Sequence, residues 1–386
     1  MTVYSFWPLL FGAIAVLWLV AGVRLLLGMA KVPRLVSVAP LPDADCPFIS
    51  ILVAARDEAG GLRQAIPSLL AQDYPNYEVI VVNDRSRDAT PQILEEFARQ
   101  HQNLKVLQVS ELPKGWLGKS HALTEAYKQA GGDWLAFTDA DVHLAPDLLR
   151  RAMALVQEKR WDHLSVLYFL ELAGLWEKAI ASFWFLWAIL RMEPWRVSNP
   201  KSRRYSGSGA FQLLGSSAYE AIGTHQFLAM ETAEDFKLGK LAKQAGFHSG
   251  VALSDELVRV RWYKGLPGVV RGFTKNAFGA CRYRLYILAL YLSLLLVFHV
   301  LPYLALGVAS GMVRAWAAIT VLVVLFLRLR TDPYYRVSPF YAFTHPLAAI
   351  LFLYLMLRSA FVILRQRGLV WRDTFYPLDQ LRKGSV

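Results

Sequence analysis

In Trp134-Leu-Ala-Phe-Thr-Asp-Ala-Asp141, a short apolar run leads directly into two carboxylates one residue apart. Such a run is typical of a buried strand, and side chains that follow a strand of an α/β sheet lie at the carboxyl edge, where ligands bind. Asp139 and Asp141 can therefore hold a divalent cation that leaves room for phosphate oxygens. The identical tripeptide at Asp43–Asp45 has no strand before it, so the prediction depends on the preceding strand and not on the tripeptide.

Strand and helix signals alternate on both sides of this segment. Apolar runs of strand length are separated by stretches of helical length, which is the pattern of a mostly parallel sheet with right-handed crossovers. We therefore predict an α/β fold of the nucleotide-binding type, although a fold alone does not name a reaction. The predicted strands are Phe48–Ala54, Tyr77–Val82, Leu104–Val109 and Trp134–Thr138, and the predicted helices are Gly61–Ala71, Pro91–His101, Lys119–Ala130 and Phe236–Gln244.

The chain as a whole is more apolar than an ordinary soluble domain. Of its 386 residues 55% are hydrophobic, and the mean hydropathy is +0.31, so membrane spans are expected. The stretch from about Tyr4 to Leu27 is long enough to cross a hydrocarbon core of ~30 Å. Because Arg24, Lys31 and Arg34 accompany its carboxyl end and no small-residue cleavage site is evident, we predict an uncleaved anchor whose carboxyl side is cytoplasmic.

Three further apolar stretches lie at about Leu285–Val308, Ala315–Leu327 and Phe340–Leu364. The second is short for a span and is expected to tilt or to insert only in part. Three full crossings would place the tail outside, yet the tail is basic, which favours the inside. We therefore expect that one of the three does not cross fully. The basic residues of the tail are Arg365, Arg367, Arg372, Arg382 and Lys383.

The net charge of +12 bears on the partners of the chain. Because basic residues cluster beside the apolar stretches, attraction to anionic lipid headgroups explains the charge more simply than binding to nucleic acid. The two cysteines, Cys46 and Cys281, are far apart and lack metal-type spacing. Neither a disulfide framework nor a zinc site is therefore expected.

Two other segments suit the surface of a membrane. Gly174–Leu190 is too short and too aromatic for a typical span, and it either lies on the bilayer beside the entry of a lipid substrate or forms an ordinary core helix. Lys264–Arg284 interleaves basic with aromatic residues and leads directly into an apolar stretch. We predict an interfacial amphipathic segment there.

Polar residues follow the first two predicted strands. Those of Ala54-Ala-Arg-Asp-Glu58 can meet a base or a ribose, or only cap the following helix. Asp84, at the tip of the second strand, can accept a hydrogen bond from a uracil imide. Asp88 and Thr90 are expected to cap the helix that begins at Pro91.

Two further motifs place charged residues at helix starts. In Gly115-Trp-Leu-Gly-Lys-Ser-His121, Lys119 follows two glycines and is a plausible diphosphate contact. The full phosphate-loop pattern is absent, which argues against a kinase or an ATPase. In Glu231-Thr-Ala-Glu-Asp235 the acidic pair either compensates the helix dipole or supplies a general base for an acceptor hydroxyl.

In this order the four motifs and the acidic strand tip resemble those of the family 2 glycosyltransferases with the GT-A fold. The resemblance covers roughly residues 47–284, and the ordered set is specific although no single motif is. The apolar flanks, with Arg261-Trp-Tyr263 and Lys275-Asn276, are similar to membrane-bound lipid glycosyltransferases of the ceramide, carotenoid and hopanoid-associated kinds. The matching residues are Ala54–Glu58, Asn83–Ser86, Gly118-Lys119, Thr138–Asp141, Glu234-Asp235 and Arg261-Trp262.

The resemblance implies a role for each matched residue. Asp84 is expected to bind the base, and Asp141, with Asp139 nearby, to bind Mn²⁺ or Mg²⁺ on the sugar diphosphate. Asp235 is expected to be the catalytic base, and Glu234 beside it is the second expected catalytic residue. The residues expected to contact the nucleotide-sugar are Ala54, Arg56, Glu58, Asp84, Lys119, Asp139, Arg261 and Trp262.

Two departures from the family pattern bear on the product. Asn83 stands where many members have a further aspartate, a mild change if Asp84 contacts the base. Val258 stands where polymerising members carry Gln ahead of Arg-Trp, which argues against a processive polysaccharide synthase.

The expected organisation follows from these assignments. It comprises an anchor over residues 1–30, a cytoplasmic GT-A domain over 47–263, an interfacial segment over 264–284, membrane helices over 285–364 and a basic tail over 365–386. The expected activity is the transfer of a sugar, with inversion, from a nucleotide-sugar to a lipid or lipid-linked hydroxyl at the cell inner membrane. The expected donor is a UDP-sugar. A processive synthase and a non-catalytic membrane scaffold are the alternatives.

Overall fold

The computed structural model describes residues 3–371 and 373–384. Met1 and Thr2 of the predicted anchor, and Arg372, Ser385 and Val386 of the predicted tail, lie outside the described residues. The chain divides into two compact units. The sheet unit comprises Val32–Glu171, Pro194–Arg261 and residues 379–384, and the helical unit comprises residues 3–31, Leu172–Glu193 and the described part of 262–378.

The elements are numbered in chain order. The helices are α1 (Val3–Met29), α2 (Ala59–Leu70), α3 (Thr90–Gln100), α4 (Gly118–Tyr127), α5 (Leu148–Lys159), α6 (Leu175–Met192), α7 (Ser216–Ala221), α8 (Glu234–Gln244), α9 (Gly265–Asn276), α10 (Leu285–Leu295), α11 (Leu301–Val308), α12 (Gly311–Thr331), α13 (His345–Gln366) and α14 (Leu378–Gly384). The strands are β1 (Ile49–Ala55), β2 (Tyr77–Asp84), β3 (Leu104–Val109), β4 (Trp134–Asp139), β5 (His143–Leu144), β6 (His163–Leu167), β7 (Phe169–Leu170), β8 (Gln212–Gly215), β9 (Ser249–Leu253), β10 (Val258–Val260), β11 (Gly368–Trp371) and β12 (Thr374–Pro377).

The sheet unit is built on a central sheet with the order β3-β2-β1-β4-β8-β6-β9. Pairing is parallel from β3 to β4 and between β6 and β9, and β8 runs antiparallel to both of its neighbours. The predicted α/β fold with a mostly parallel sheet is therefore confirmed, and every predicted element ends within three residues of its predicted bounds. The runs β1, β2 and β4 are almost continuously apolar because helices cover both faces of a parallel sheet.

One face of this sheet packs against α4, α7 and α8. Its core joins strand residues such as Leu52, Ile80 and Leu135 with helix residues such as Leu123 and Leu238, all of them buried. A separate three-stranded sheet, with the order β5-β10-β7, follows the tip of β4. The core contacts of α4 and α8 with the central sheet fix the start of each helix relative to the carboxyl ends of the strands.

In the helical unit, four segments of the described chain are long and apolar enough to cross a membrane: Phe6–Met29, Leu285–Val308, Gly311–Tyr335 and Pro339–Gln366. The third contains Ala315–Leu327, the stretch that is short for a span. The helix itself is longer than that stretch, because α12 continues through Arg314 and Arg328 over 21 residues. At ~1.5 Å per residue such a helix spans a hydrocarbon core. Tilted or partial insertion of this segment stays a prediction.

Helix α6, which the sequence left between a bilayer surface and a core, is a buried helix of the helical unit. Phe183 is fully buried and packs edge-on against His299 and His345, with ring centroids 5.2 and 5.1 Å away. Phe185 stacks on Tyr335 at 4.0 Å. The core-helix alternative therefore describes most of α6, although its tryptophans are partly exposed.

Candidate active site at the carboxyl edge of the sheet

Three predicted site segments end neighbouring strands. In the sheet register Ala54 of β1 lies beside Val82 of β2 and beside Asp139 of β4. Asp84 is the last residue of β2. Because these strands are parallel, their carboxyl ends share one edge of the sheet, as predicted.

Lys119 joins the tip of β4 to the start of α8. Its Nζ lies 2.5 Å from Asp139 Oδ1 and 2.7 Å from Glu234 Oε1. Burial opposes its charge, but the carboxylates of Asp139, Glu234 and Asp235 raise the pKa of Lys119 above its ordinary value. The lysine is therefore a fixed cation among carboxylates, and its contact with a diphosphate stays a prediction.

Gly209 separates the two central carboxylates. A Cβ at this position would lie 2.7 Å from Asp139 Oδ2 and 3.0 Å from Asp235 Oδ2. The Gly209 carbonyl also accepts the Asp139 N–H at 2.9 Å. Because a glycine leaves this space open, a strand-tip carboxylate and a helix-start carboxylate face the same point.

The residues around this point form one small cleft. Burial raises the pKa of Glu234 to about 7. The charge of Asp235 also raises this pKa, whereas the charge of Lys119 lowers it. Asp235 Oδ1 accepts the N–H of Phe236 at 2.7 Å, so its other oxygen is the one next to Gly209. The cleft is lined by Lys119, Leu123, Phe137, Thr138, Gly209, Gln212, His225, Glu234 and Asp235.

The acidic strand tip fits a metal that a substrate helps to hold. Within the described residues, no three His, Cys, Asp or Glu side chains converge to hold a metal by themselves. Mg²⁺ is commonly bound by one or two carboxylates together with water and substrate phosphates, and carboxylates also suit Mn²⁺. Burial and the charges of Asp139 and Glu58 raise the pKa of Asp141 to about 7. That excess of negative charge is what a cation would relieve.

Asp84 is paired with two arginines. Arg85 donates to both of its carboxylate oxygens, at 2.7 and 3.0 Å, and Arg56 Nη1 lies 3.9 Å from Oδ2. A Cβ at Gly118 would lie 2.1 Å from the same oxygen, so the start of α4 packs directly on Asp84. The structure thus brings together Arg56 and Asp84, two of the residues predicted to contact the nucleotide.

The loops after β1 and β2 are joined by Asp88 and Thr90. Thr90 Oγ1 accepts the N–H of Glu58 at 2.9 Å, and Asp88 Oδ2 accepts that of Ala59 at 3.0 Å. Asp88 Oδ1 also accepts the N–H of Thr90 at 2.9 Å, at the start of α3. Both side chains therefore bond the start of α2, and Asp88 also bonds the start of α3, as expected. Thr90 is itself the first residue of α3, and its hydroxyl bonds Glu58 instead.

Other predicted residues lie elsewhere. Arg261 is exposed at the end of the sheet unit, and Trp262 belongs to the helical unit, where it packs on Trp184. Their contact with a donor stays a prediction. The other Asp-Ala-Asp tripeptide, Asp43–Asp45, forms a short 3₁₀ turn, in which Asp43 is exposed and pairs with Arg150 at 2.5 Å.

Sequence reasoning missed two polar residues of the cleft, Gln212 and His225. His225 is buried, and its Nδ1 lies 2.6 Å from the hydroxyl of Tyr219, which also accepts the backbone N–H of His225. Burial, followed by the charge of Lys119, lowers the pKa of His225 to about 3, so the ring is neutral. Neither residue lies in a motif that the sequence analysis singled out.

Residues 50–214 match the family model described as Glycosyl transferase family 2. This segment of the chain is similar to glycosyltransferase family 2. The family resemblance predicted from the motifs is therefore confirmed. The family segment holds Asp84, Lys119, Asp139 and Gly209, whereas Glu234 and Asp235 follow it.

Relatives and a solved structure agree with this family. A beta-monoglucosyldiacylglycerol synthase of Nostoc sp. is 40% identical over 116 residues, which are 30% of this chain and 24% of that protein. A poly-beta-1,6-N-acetyl-D-glucosamine synthase of Staphylococcus epidermidis is 35% identical over 100 residues, 26% of this chain and 23% of that protein. The chain thus spans about a quarter of the length of these curated relatives.

The fold is shared with the mannosyltransferase PcManGT from Pyrobaculum calidifontis, solved in complex with GDP-Man and Mn²⁺. The TM-score is 0.54 at 20% identity, over 89% of this chain and 99% of that one. At this identity the likeness concerns the fold alone. Together with the family match, it confirms the predicted GT-A fold.

Proposed function

We propose that the protein transfers a sugar from a UDP-sugar to the hydroxyl group of a lipid or lipid-linked acceptor, with inversion at the anomeric carbon. The observation that carries the proposal is the opening at Gly209, where Asp139 and Asp235 face one point within a family 2 fold. A donor held at the strand tip would thereby meet a base at the start of α8. In-line attack by the acceptor then displaces the diphosphate in a single step.

Asp235 is the proposed general base. Its Oδ1 is engaged by the backbone of Phe236, which leaves the oxygen beside Gly209 to take the proton of the acceptor hydroxyl. Lys119 and Arg261 would offset charge on the leaving diphosphate. Asp84, with Arg56 and Ala54 beside it, would contact the nucleoside. Mn²⁺ or Mg²⁺ held by Asp139 and Asp141 would supply further charge stabilisation.

The lipid acceptor is supported by two independent observations. Four helical segments of the described chain have the length and composition of membrane spans. One relative is named for the synthesis of a glucosyl diacylglycerol. Arg24, Lys31 and Arg34 beside the first segment favour a cytoplasmic sheet unit at the cell inner membrane.

A processive polysaccharide synthase is the second candidate. A relative with that kind of name favours it. Val258 argues against it, because this fully buried residue of β10 stands where polymerising members carry Gln. Product length separates the two candidates. A non-catalytic scaffold is the weakest reading, since it has no need of Asp139, Asp141 and Asp235 together.

The test uses purified full-length protein, a panel of UDP- and GDP-sugars, a membrane lipid extract and Mn²⁺ or Mg²⁺. We expect release of free nucleoside diphosphate and a lipid whose mass increases by one sugar residue. A ladder of repeated sugar additions would favour the synthase. Absence of any metal-dependent nucleoside diphosphate release would contradict a catalytic function.

Two substitutions locate the chemistry. Asp235→Asn should lower turnover by ~10²–10⁴-fold while donor binding survives, because only the proton acceptor is lost. Asp141→Asn should weaken the metal dependence. The matched control is Asp45→Asn in the second Asp-Ala-Asp, an exposed residue outside the cleft, which should keep wild-type rates. Near-wild-type turnover by the Asp235 variant would exclude it as the base.

A further inference from the structure

The carboxylate of Glu177 joins the amino ends of two helices of the helical unit. Glu177 lies in the first turn of α6 and is 4% exposed. Its Oε2 accepts the N–H of Ala173 at 2.9 Å, just before α6. Its Oε1 accepts the N–H of Gly265 at 2.6 Å, the first residue of α9. The Gly265 N–H is one of the first N–H groups of α9, which lack partners within the helix, and Glu177 satisfies it. Glu177 also lies in the first turn of α6, so its negative charge compensates the positive ends of both helices.

Helix α6 also contacts the segment that leads into α9. The Trp262 ring packs edge-on against Trp184 at 5.0 Å and stacks on Phe185 at 5.8 Å between ring centroids. Phe185 is itself stacked on Tyr335. The face of α6 about two turns beyond Glu177 therefore contacts Trp262 and sets its position.

Helix α9 holds the next residue, Tyr263. Its ring lies 6.0 Å from that of Phe273 and fills a notch at two glycines. A Cβ at Gly272 would come within 1.9 Å of Tyr263 Cε1, and one at Gly268 would lie 3.4 Å from its Cβ. The aromatic pair is thus held by α6 on one side and α9 on the other, and Glu177 connects the two helices.

We propose that Glu177 is a positioning residue for the Arg261–Tyr263 segment. The inference rests on the proposed function, in which Arg261 offsets charge on the leaving diphosphate. A buried carboxylate is stable only when its oxygens are hydrogen-bonded, and here both oxygens bond backbone N–H groups. Gln at position 177 would have the same shape but one acceptor oxygen, so one N–H would face an amide NH₂ group.

The closing experiment compares Glu177→Gln with the wild type in detergent, by two measurements. The first, made without substrate, is the rate of tryptic cleavage after Arg261 and Lys264, both exposed, followed by mass spectrometry of the fragments. We expect cleavage to accelerate about tenfold or more, since a charged hydrogen bond to the helix start is lost. The second is kcat per folded molecule, which should fall by on the order of 10²-fold as the segment shifts.

Asp162→Asn is the matched control for Glu177→Gln. Asp162 also accepts a backbone N–H, that of His248 at 2.8 Å, but lies in the sheet unit. It should leave both measurements unchanged. A purely structural role for Glu177 would lower the thermal midpoint and the folded fraction, without changing kcat per folded molecule.

A second pair of variants keeps the test independent of the folding of Glu177→Gln. Gly272→Ala should displace Tyr263 and reproduce both effects. Gly307→Ala, in α11 with nothing within 4 Å of the added Cβ, should reproduce neither. Wild-type cleavage and kcat in both Glu177→Gln and Gly272→Ala would overturn the inference, as would faster cleavage with unchanged kcat. A wild type without transfer activity contradicts the proposed function instead, and the cleavage rates still decide whether Glu177 holds the segment.

Discussion

Lys119 Nζ lies 2.7 Å from Glu234 Oε1, a carboxylate that is 4% exposed. The two acidic residues at the start of α8 therefore lie in different environments. Glu234 is buried and neutralised by a lysine from α4, whereas Asp235 faces Gly209 and the cleft. The sequence predicted a catalytic role for both, whereas the proposed function takes Asp235 as the base and Glu234 as the residue that holds Lys119.

The first prediction concerns this ion pair. Lys119→Met leaves Glu234 buried without its cation, which should destabilise the protein by ~3 kcal/mol and lower turnover more than 10²-fold. The double variant Lys119→Met with Glu234→Gln removes both charges and should recover most of the stability but not the activity. Thermal unfolding and nucleoside diphosphate release measure the two effects. Equal stability of the single and double variants would show that the pair is not coupled.

The second prediction concerns the opening at Gly209. Gly209→Ala places a Cβ 2.7 Å from Asp139 and 3.0 Å from Asp235, so both carboxylates must shift. We expect turnover to fall at least tenfold, because displacement of either group misaligns the proposed reaction. The control is Gly60→Ala in the first turn of α2, where nothing lies within 4 Å of the added Cβ. Steady-state kinetics measure the turnover of both variants. Similar turnover in Gly209→Ala and Gly60→Ala would refute the role of the opening.

The parts of this site that follow from a local sequence pattern could be predicted, whereas contacts between elements that are distant in the chain could not. Ala54, Asp84 and Asp139 follow apolar strands, so their arrival at one sheet edge could be predicted from periodicity. The partnership of Lys119 with Glu234 could not, because it depends on how α4 and α8 pack on the sheet. Gln212 enters the cleft on β8, whose antiparallel insertion between β4 and β6 leaves no local signal.

The assignment of α6 shows a second limit. Its aromatic and apolar residues suit a bilayer surface and a helical core equally well, since both environments are apolar. Burial of Phe183 and Glu177 was decided by helices distant in sequence, including α9 and α13. Its place in the helical unit follows from these tertiary contacts and not from its own periodicity.

The third prediction concerns pH. His163 is fully buried beside Gln212, and burial lowers its pKa to about 4. The unfolded chain has a histidine pKa of ~6.5, so below that pH it binds a proton that the folded protein does not. This contribution to stability is complete above ~6.5 and decreases as pH falls towards about 4, by ~2 kcal/mol at pH 5.

The measurement is the denaturation midpoint between pH 7 and pH 5. His163→Gln removes one titrating group, so the midpoint of this variant should change less with pH than that of the wild type. His248→Gln, at an exposed ring, should leave this pH dependence unchanged. If the midpoint depends on pH equally in wild type and His163→Gln, His163 takes up a proton in the folded protein as readily as in the unfolded chain.

The fourth prediction concerns the attachment of α1 within the helical unit. Trp18 Nε1 donates to the carbonyl of Phe298 at 3.1 Å. Pro302, four residues later, has no N–H for that carbonyl, and the backbone at Leu296–Val300 forms a π-helical turn. A carbonyl without a partner is costly in an apolar environment, so Trp18 satisfies the group that the proline leaves open.

Trp18→Phe keeps part of the ring contact with His299 but loses this hydrogen bond. We expect a loss of about 1 kcal/mol in unfolding by a denaturing detergent. Trp7→Phe, at an exposed position of the same helix, is the control. Adding Pro302→Ala to Trp18→Phe supplies an N–H four residues after Phe298, so the double variant should recover the stability that Trp18→Phe loses. If Pro302→Ala fails to rescue Trp18→Phe, the hydrogen bond is not what holds α1, and ring packing on His299 must account for the loss.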